Sequence, residues 1–214
     1  MNNHALGQMH SLQLGQVTDN ADPDQRGRIK VRLLAAPLEV WASVVAPSAG
    51  QGYGASFVPR NDEIVVLAFI TPDQPLVLGS IWAGSGSAPS DDDPAEQRYA
   101  IATPAGTVLV FDDQGGPKVE VKTPNGNKIT VTDGSGGEIK VETSAGQSVT
   151  LKSSGIEVQS SGQVNVNASQ VNISAGMVKV DAGMAKFSGV VKADTVIANA
   201  VVSSSYTPGA GNIW

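Results

Sequence analysis

The chain has 214 residues, a formal net charge of −6, and only 16% charged and 5% aromatic residues. An acidic chain disfavours a nucleic-acid partner, because contacts to phosphates need basic patches. The sequence contains no cysteine, which excludes disulfides and thiolate chemistry. It has no apolar run long enough to cross a membrane and no basic segment followed by an apolar one at its start, so we expect neither a membrane span nor a signal peptide.

The first segment, residues 1–11, is polar and holds both histidines, His4 and His10. We expect a flexible leader here. A metal site needs more ligands than this segment offers, so we predict no metal and no cofactor.

Residues 12–83 have the pattern of a compact β domain. Short apolar or alternating runs are separated by turns rich in Gly and Pro, which is typical of a small barrel such as the OB-fold. The run from Glu63 to Phe69 is continuously apolar, which predicts a buried strand. Trp41, Phe57, Phe69 and Trp82 are the expected large core side chains. The five predicted strands are Leu12–Val17, Arg28–Leu33, Trp41–Val45, Glu63–Phe69 and Leu76–Trp82.

A linker is predicted at residues 84–99, where Gly, Ser, Pro and Asp dominate. Its Asp91-Asp-Asp93 run is expected to be a solvated hinge. After the linker, Thr107–Phe111 forms a further apolar run. The linker therefore separates the barrel from a second region.

The second region repeats one pattern, two branched aliphatic residues separated by one residue and followed by a polar turn. Such pairs lie on one face of a β-strand, because side chains alternate between faces. The spacing is ten residues from Val119 to Val149 and then shortens to seven or eight, which indicates a stacked structure. The pairs are Val108/Val110, Val119/Val121, Ile129/Val131, Ile139/Val141, Val149/Leu151, Ile156/Val158, Val164/Val166, Val171/Ile173 and Val178/Val180.

A single chain with this pattern would leave its sheet edges open. A core of Val and Ile almost without aromatic residues suits a thin prism, so we predict an intertwined, triple-stranded homotrimeric β-helix over residues 100–200. The fold class is all-β, an OB-fold barrel followed by this needle. The predicted trimer core is Val119, Val121, Ile129, Val131, Ile139, Val141, Val149, Leu151, Ile156, Val158, Val164, Val166, Val171, Ile173, Val178 and Val180.

Several blocks resemble a known family, and they follow its order along the chain. The sequence resembles the spike OB domain of contractile injection machines, found in phage baseplate assembly protein V and in the VgrG proteins of type VI secretion. The blocks are Leu14-Gly-Gln-Val17, Asp22-Pro-Asp24, Arg26-Gly-Arg-Ile-Lys-Val-Arg32, Trp41-Ala-Ser-Val-Val-Ala-Pro47, Gly52-Tyr-Gly54, Pro59-Arg-Asn-Asp-Glu-Ile-Val65, Gln74-Pro-Leu-Val-Leu-Gly-Ser-Ile-Trp82 and Thr103-Pro-Ala-Gly-Thr107.

The resemblance implies the central spike of a phage tail baseplate or a related injection machine. Such a homotrimer caps the tube and hub, and it pierces the target outer membrane when the sheath contracts. Its expected partners are its own copies and a separate hub protein, docked through Arg26, Arg28, Lys30 and Arg32. A tip segment, residues 201–214, would fold over the needle or hold a separate PAAR-type tip through Ile213 and Trp214.

Two features of some relatives, and the usual catalytic arrangements, are missing from this sequence. No lysozyme domain lies between barrel and needle, and no His-x-His follows His10, so we expect no iron at the apex. No Ser-His-Asp or Cys-His arrangement is available. We therefore predict a protein that is not an enzyme.

Two other readings of the sequence remain open. One is the stalk of a trimeric receptor-binding tail fibre or adhesin. The other is an OB-type nucleic-acid binder, which would need basic residues and stacking aromatic residues on the barrel face.

Overall fold

The computed structural model describes residues 12–84, 88 and 96–204. In these residues the fold is all-β, with one 3₁₀ turn at Gly134–Gly136 as its only helical element. None of the described residues forms a helix that could span a membrane.

The N-terminal part is a closed five-stranded barrel, as predicted. Its strands join in the order β1-β2-β3-β7-β6, with every pairing antiparallel except the parallel β3–β7 pair that closes the barrel. A two-stranded hairpin, β4 and β5, lies in the connection after β3. The strands are β1 (Gln13–Asp19), β2 (Arg28–Leu33), β3 (Glu39–Val44), β4 (Ala49–Gly50), β5 (Tyr53–Gly54), β6 (Ile64–Phe69) and β7 (Pro75–Ile81).

The barrel core consists of aliphatic residues rather than the predicted aromatic ones. Of the four expected core aromatics only Phe69 is buried. Trp41 is half-buried, and Phe57 and Trp82 are exposed. The prediction was wrong for these because the inward-facing positions of five short strands already fill the interior. The largest fully buried side chains are Val17, Ile29, Val31, Val65, Leu67 and Val77.

The second region begins with a seven-stranded antiparallel sheet in which each strand pairs with the next one along the chain. Its first strand starts at Arg98, inside the predicted linker. The strands are β8 (Arg98–Ala102), β9 (Val108–Asp112), β10 (Lys118–Lys122), β11 (Lys128–Thr132), β12 (Glu138–Glu142), β13 (Ser148–Lys152) and β14 (Gly155–Gln159). We call this sheet the meander.

Equivalent turns recur every twenty residues along one edge of the meander. They begin at Thr103, Thr123 and Thr143, and in each the glycine three residues later donates its N–H to the threonine carbonyl, at 2.9–3.0 Å. These glycines have φ of 86–88°, a left-handed conformation that favours glycine. A five-residue strand plus a five-residue connection explains the ten-residue spacing of the aliphatic pairs.

The meander differs from the intertwined β-helix expected from residue 100 onward. From Arg98 to Gln159 the strands take their hydrogen-bond partners from their own chain. The physical reason is that short turns, three of them Thr-x-x-Gly, return the chain tightly enough for neighbouring strands to pair.

After Gln159 the described chain, residues 160–204, contains no strand. Every residue from 161 to 204 is exposed. Its backbone bends at residues 162, 169, 176 and 183, one bend every seven residues, and then at 189, 194, 199 and 204. We call residues 160–204 the periodic segment. The chain divides into two units after Val164, and each is described by itself.

Candidate functional site

The meander has one apolar face and one charged face. In each strand the second and fourth residues point to one side and the first, third and fifth to the other, as the pleat requires. The cross-strand register places the second and fourth residues next to one another in two continuous rows. The apolar face comprises Tyr99, Ile101, Leu109, Phe111, Val119, Val121, Ile129, Val131, Ile139, Val141, Val149, Leu151, Ile156 and Val158.

Most of this apolar face is open to solvent in the single chain. Leu109, Val119 and Val121 are half-buried. The other eleven residues are exposed, including Ile129 at 45% and Val141 at 44%. Exposed apolar surface of this extent on a soluble protein marks an interaction site. The ten predicted trimer-core residues from Val119 to Val158 all lie on this face.

The first aliphatic pair, Val108/Val110, lies on the opposite face, which corrects the prediction. Val110 is buried between Ala100 and Glu120 on the charged side, and Leu109 and Phe111 take the apolar positions instead. Because Val108–Phe111 is apolar at every position, its alternation is ambiguous. The register with β10 decides it, since Lys118, Glu120 and Lys122 must face water.

The charged face is held by ion pairs between neighbouring strands. Lys118 contacts Asp112 at 3.2 Å, Lys128 contacts Glu142 at 3.0 Å, and Lys152 contacts Glu138 at 3.0 Å. These pairs are accessible to solvent, and such pairs add little stability each. Their main effect is that this face of the sheet, unlike the apolar face, carries charged groups that water solvates well.

The charged partners shift one another's pKa. Hydrogen bonds from Lys140 and Lys128 lower the pKa of Glu142, and the same contact raises the pKa of Lys128. The pKa of Asp112 is lowered by the backbone N–H of Gln114 and by Lys118. All three groups stay charged near neutral pH, which keeps this face hydrated.

The remaining predicted trimer-core residues lie in the periodic segment and are exposed. Within each pair the exposed fraction repeats, 60–62% for the first member and 71% for the second. A repeat of exposure and of backbone bends at the same seven-residue spacing shows a regular conformation without strand pairing inside the chain. The residues are Val164, Val166, Val171, Ile173, Val178 and Val180.

The residues predicted to dock a hub lie on or beside β2, and most are already engaged within the barrel. Arg28 donates to Asp22 at 2.9 and 3.1 Å and to Asp24 at 2.6 Å. Its guanidinium also lies 5.7 Å from the centroid of the Trp41 ring. Hydrogen bonds from Arg28 lower the pKa of Asp22 well below its usual range.

The other three basic residues have partners too. Lys30 pairs with Glu39 at 3.2 Å, and Arg32 donates to Gln16 at 2.6 Å. The backbone N–H of Arg26 donates to Asp22 at 2.9 Å. The side chains of Lys30 and Arg32 project outward, because Ile29, Val31 and Leu33 fill the inward positions.

Some predicted features lie outside the described residues. These are the leader with His4 and His10, the Asp91–Asp93 hinge, and the tip residues Ile213 and Trp214. Within the described ranges no group of three His, Cys, Asp or Glu side chains could hold a metal ion.

The fold and the open face define a class of protein, an OB-type barrel joined to a β region with an exposed aliphatic sheet face. Two family models match the chain. The model of the type VI secretion system/phage-baseplate injector OB domain matches residues 13–82. The model of the phage baseplate V C-terminal trimerisation domain matches residues 118–184.

Together the two matches cover more than half of the chain, and the chain belongs to the phage baseplate V family of spike proteins. A search of curated proteins found no match. The family expected from the sequence is confirmed. The protein is thus a structural component of the baseplate class, and its trimerisation domain supports self-association as a homotrimer.

Proposed function

We propose that this protein is the central spike of a contractile injection machine, a homotrimer that caps the tube and hub and pierces the target envelope when the sheath contracts. The observation that carries this proposal is the apolar face of the meander. It runs across seven strands, and eleven of its fourteen residues are exposed in the described part of the chain.

Three meanders facing a common axis would cover one another's aliphatic rows. Their charged faces would then point outward to water. Closing three sheets into a prism in this way buries the apolar side chains, and each buried Val, Leu or Ile contributes about 1.5–3 kcal/mol. The result is a stiff body of the kind needed to transmit force.

The periodic segment supports a second part of the proposal, that a triple-stranded β-helix follows the meander. A chain that repeats its bends every seven residues without pairing to itself leaves its backbone N–H and C=O groups for other partners. Two sister chains in the same conformation supply them. The shortening of the bend interval to five residues after 189 fits a narrowing toward the tip.

The domain plan of the sequence analysis remains part of this proposal. It assigns a leader to 1–11, a barrel to 12–83, a linker to 84–99, the spike to 100–200 and a tip to 201–214. A separate hub protein would contact the barrel end, and Ile213 and Trp214 would close the needle or hold a tip protein.

The proposal is tested by measuring mass and shape of the purified full chain. Light scattering after gel filtration is expected to give three times the 21.9 kDa of one chain, and electron microscopy is expected to show a rod with a knob at one end. A globular monomer would contradict the proposal. A rod ending in a bulky distal head, as in a receptor-binding fibre, would support the stalk alternative instead.

A further inference from the structure

The outer surface of the barrel is divided into an apolar side and a charged side. Strands β1, β6 and β7 lie next to one another, and apolar outward residues align in the cross-strand register: Leu14 opposite Val66, Ile64 opposite Ile81, and Ala68 opposite Leu76. Gln16 of β1, opposite Ile64, is the polar boundary of this surface and accepts a hydrogen bond from Arg32. Outward residues of β2 are Arg28, Lys30 and Arg32. We call the outward surface of β6 and β7, together with Leu14 of β1, the barrel apolar face.

Large side chains on the barrel apolar face are accessible to solvent in the single chain. Leu14 is 44%, Leu78 48% and Ile81 42% exposed. Leu78 sits at a bulge, because Val77 and Gly79 pair with consecutive residues of β6 and leave Leu78 without a partner. A bulge of this kind turns a side chain away from the regular pleat.

The sequence of β6 also indicates a cover on both sides. Its six residues are all apolar, which is typical of strands buried on both faces. Val65, Leu67 and Phe69 face the barrel interior and are buried. Ile64, Val66 and Ala68 face outward and are only half-buried, so their cover must come from elsewhere. These three outward residues are uncharged, and depletion of charged groups is what distinguishes the core of a protein interface.

A sister barrel is the partner most available to this face. The protein belongs to a family with a trimerisation domain, and β7 ends at Ile81 while the meander starts at Arg98. The intervening residues can span at most about 55 Å. Trimer formation therefore holds three barrels near one another at an effective concentration of about a millimolar, at which even a modest apolar interface forms.

We propose that the three barrels of one trimer contact each other through the barrel apolar face, with β6 nearest the threefold axis. This inference rests on the proposed homotrimer. The charged side, with Lys30 and Arg32, then faces away from the axis, where a hub protein can reach it. The barrels are a second trimer interface in addition to the spike.

The natural chain contains no cysteine, so single cysteines give a clean proximity test. The variant Val66→Cys places a thiol at the centre of the barrel apolar face, and Lys30→Cys places one at the centre of the charged side as a matched control. Full-length trimers are treated with a short bis-maleimide and analysed on denaturing gels. We expect a cross-linked dimer for Val66→Cys, at least about tenfold more abundant than for Lys30→Cys. Leu78→Cys provides a second position on the same face should Val66→Cys fold poorly, and it should cross-link as well.

Light scattering on the same samples separates the two proposals. A trimer whose Val66 and Leu78 thiols react with maleimide but do not cross-link would overturn the barrel contact and leave the homotrimer intact. Thiols shielded in the trimer yet not cross-linked would also overturn it, since a segment of the same chain would then cover the face. A monomeric mass would instead refute the homotrimer itself.

Discussion

The meander and the periodic segment carry the same aliphatic pairs but satisfy their backbones differently. In the meander, Arg98–Gln159, each strand pairs with its neighbour in the chain. In residues 160–204 the pairs continue, yet no strand forms within the chain. The pattern of apolar side chains alone therefore does not decide whether a segment forms strand hydrogen bonds with its own chain.

Repeat length alone does not account for this difference. Ten residues accommodate a five-residue strand and a five-residue connection that turns the chain back on itself. However, β13 and β14 follow each other at the seven-residue step, with only Ser153 and Ser154 between them, and they still pair within the chain. The change therefore begins after Gln159, where we expect the backbone to pair with sister chains instead. Four changes, ordered by the size of their expected effect, test this account.

The largest effect is expected from Val166→Asp in the periodic segment. The change would place three carboxylates near the axis, and an unpaired buried charge costs about 3–5 kcal/mol. Unheated trimers of the variant should dissociate in SDS. The neighbouring change Asn165→Asp adds the same charge on the intervening residue and should leave the trimer resistant. Equal resistance of both variants would remove Val166 from the core.

Truncation on the apolar face of the meander should have the next largest effect. Ile129→Ala removes buried volume in the trimer and should destabilise it by about 2–3 kcal/mol per chain, within the usual range for such changes. Thermal or denaturant unfolding of the full chain measures this. Thr130→Ala, on the opposite face of the same strand, should change stability by less than about 0.5 kcal/mol. If the two variants unfold alike, the apolar face is not covered.

Glycine substitutions compare the Thr-x-x-Gly turns of the meander, which need a left-handed glycine, with the 3₁₀ turn at Gly134–Gly136, which does not need one at Gly134. Gly126 has φ of +86° and a Cβ there would lie 3.4 Å from Ser144 Cβ, so Gly126→Ala should destabilise by about 1 kcal/mol. Gly134 has open space around it and an ordinary φ, so Gly134→Ala serves as the control. Denaturant midpoints compare the two, and a larger loss for Gly134→Ala would contradict the turn geometry.

The smallest effect is expected from acid on the charged face. The pKa of Glu142 is lowered from 4.5 by Lys140 and Lys128, so its favourable pairing is complete above pH 4.5 and is lost as the pH falls through the lowered value. Glu142→Gln should therefore be slightly less stable than the natural protein at pH 7, and the difference should disappear as the pH falls below 4.5, so that the variant loses less stability in acid. Unfolding at both pH values measures this, and a steeper acid loss in the variant would contradict the assignment.

Much of the fold and most of the meander's apolar face could be predicted from the sequence. Alternation at Val119/Val121 and the pairs that follow gives the face directly, because lysine, glutamate and threonine occupy the intervening positions. It could not be predicted which residues of Val108–Phe111 face the apolar side, since every residue there is apolar. Leu109 and Phe111 were missed for this reason. Tyr99 and Ile101 were missed because their strand, β8, begins inside the predicted linker.

Two further features had no clear signal in the pattern. Phe57 and Trp82 are large and apolar, which suits an interior or an interface equally well, and only the filled aliphatic barrel core shows that they lie outside. The alternation of apolar and polar side chains is the same whether a strand pairs within its own chain or with another chain. Connection length does not decide the pairing either, because the two-residue connection between β13 and β14 still gives pairing within the chain.

Amide hydrogen exchange on the full-length protein tests the central claim most directly, because it reports hydrogen bonding residue by residue in both regions. The account predicts slow exchange in the meander and equally slow exchange in residues 164–200, where the described part of the chain supplies no strand partner and sister chains would supply it. Fast exchange throughout residues 164–200, beside a protected meander, would contradict the pairing of this segment with sister chains.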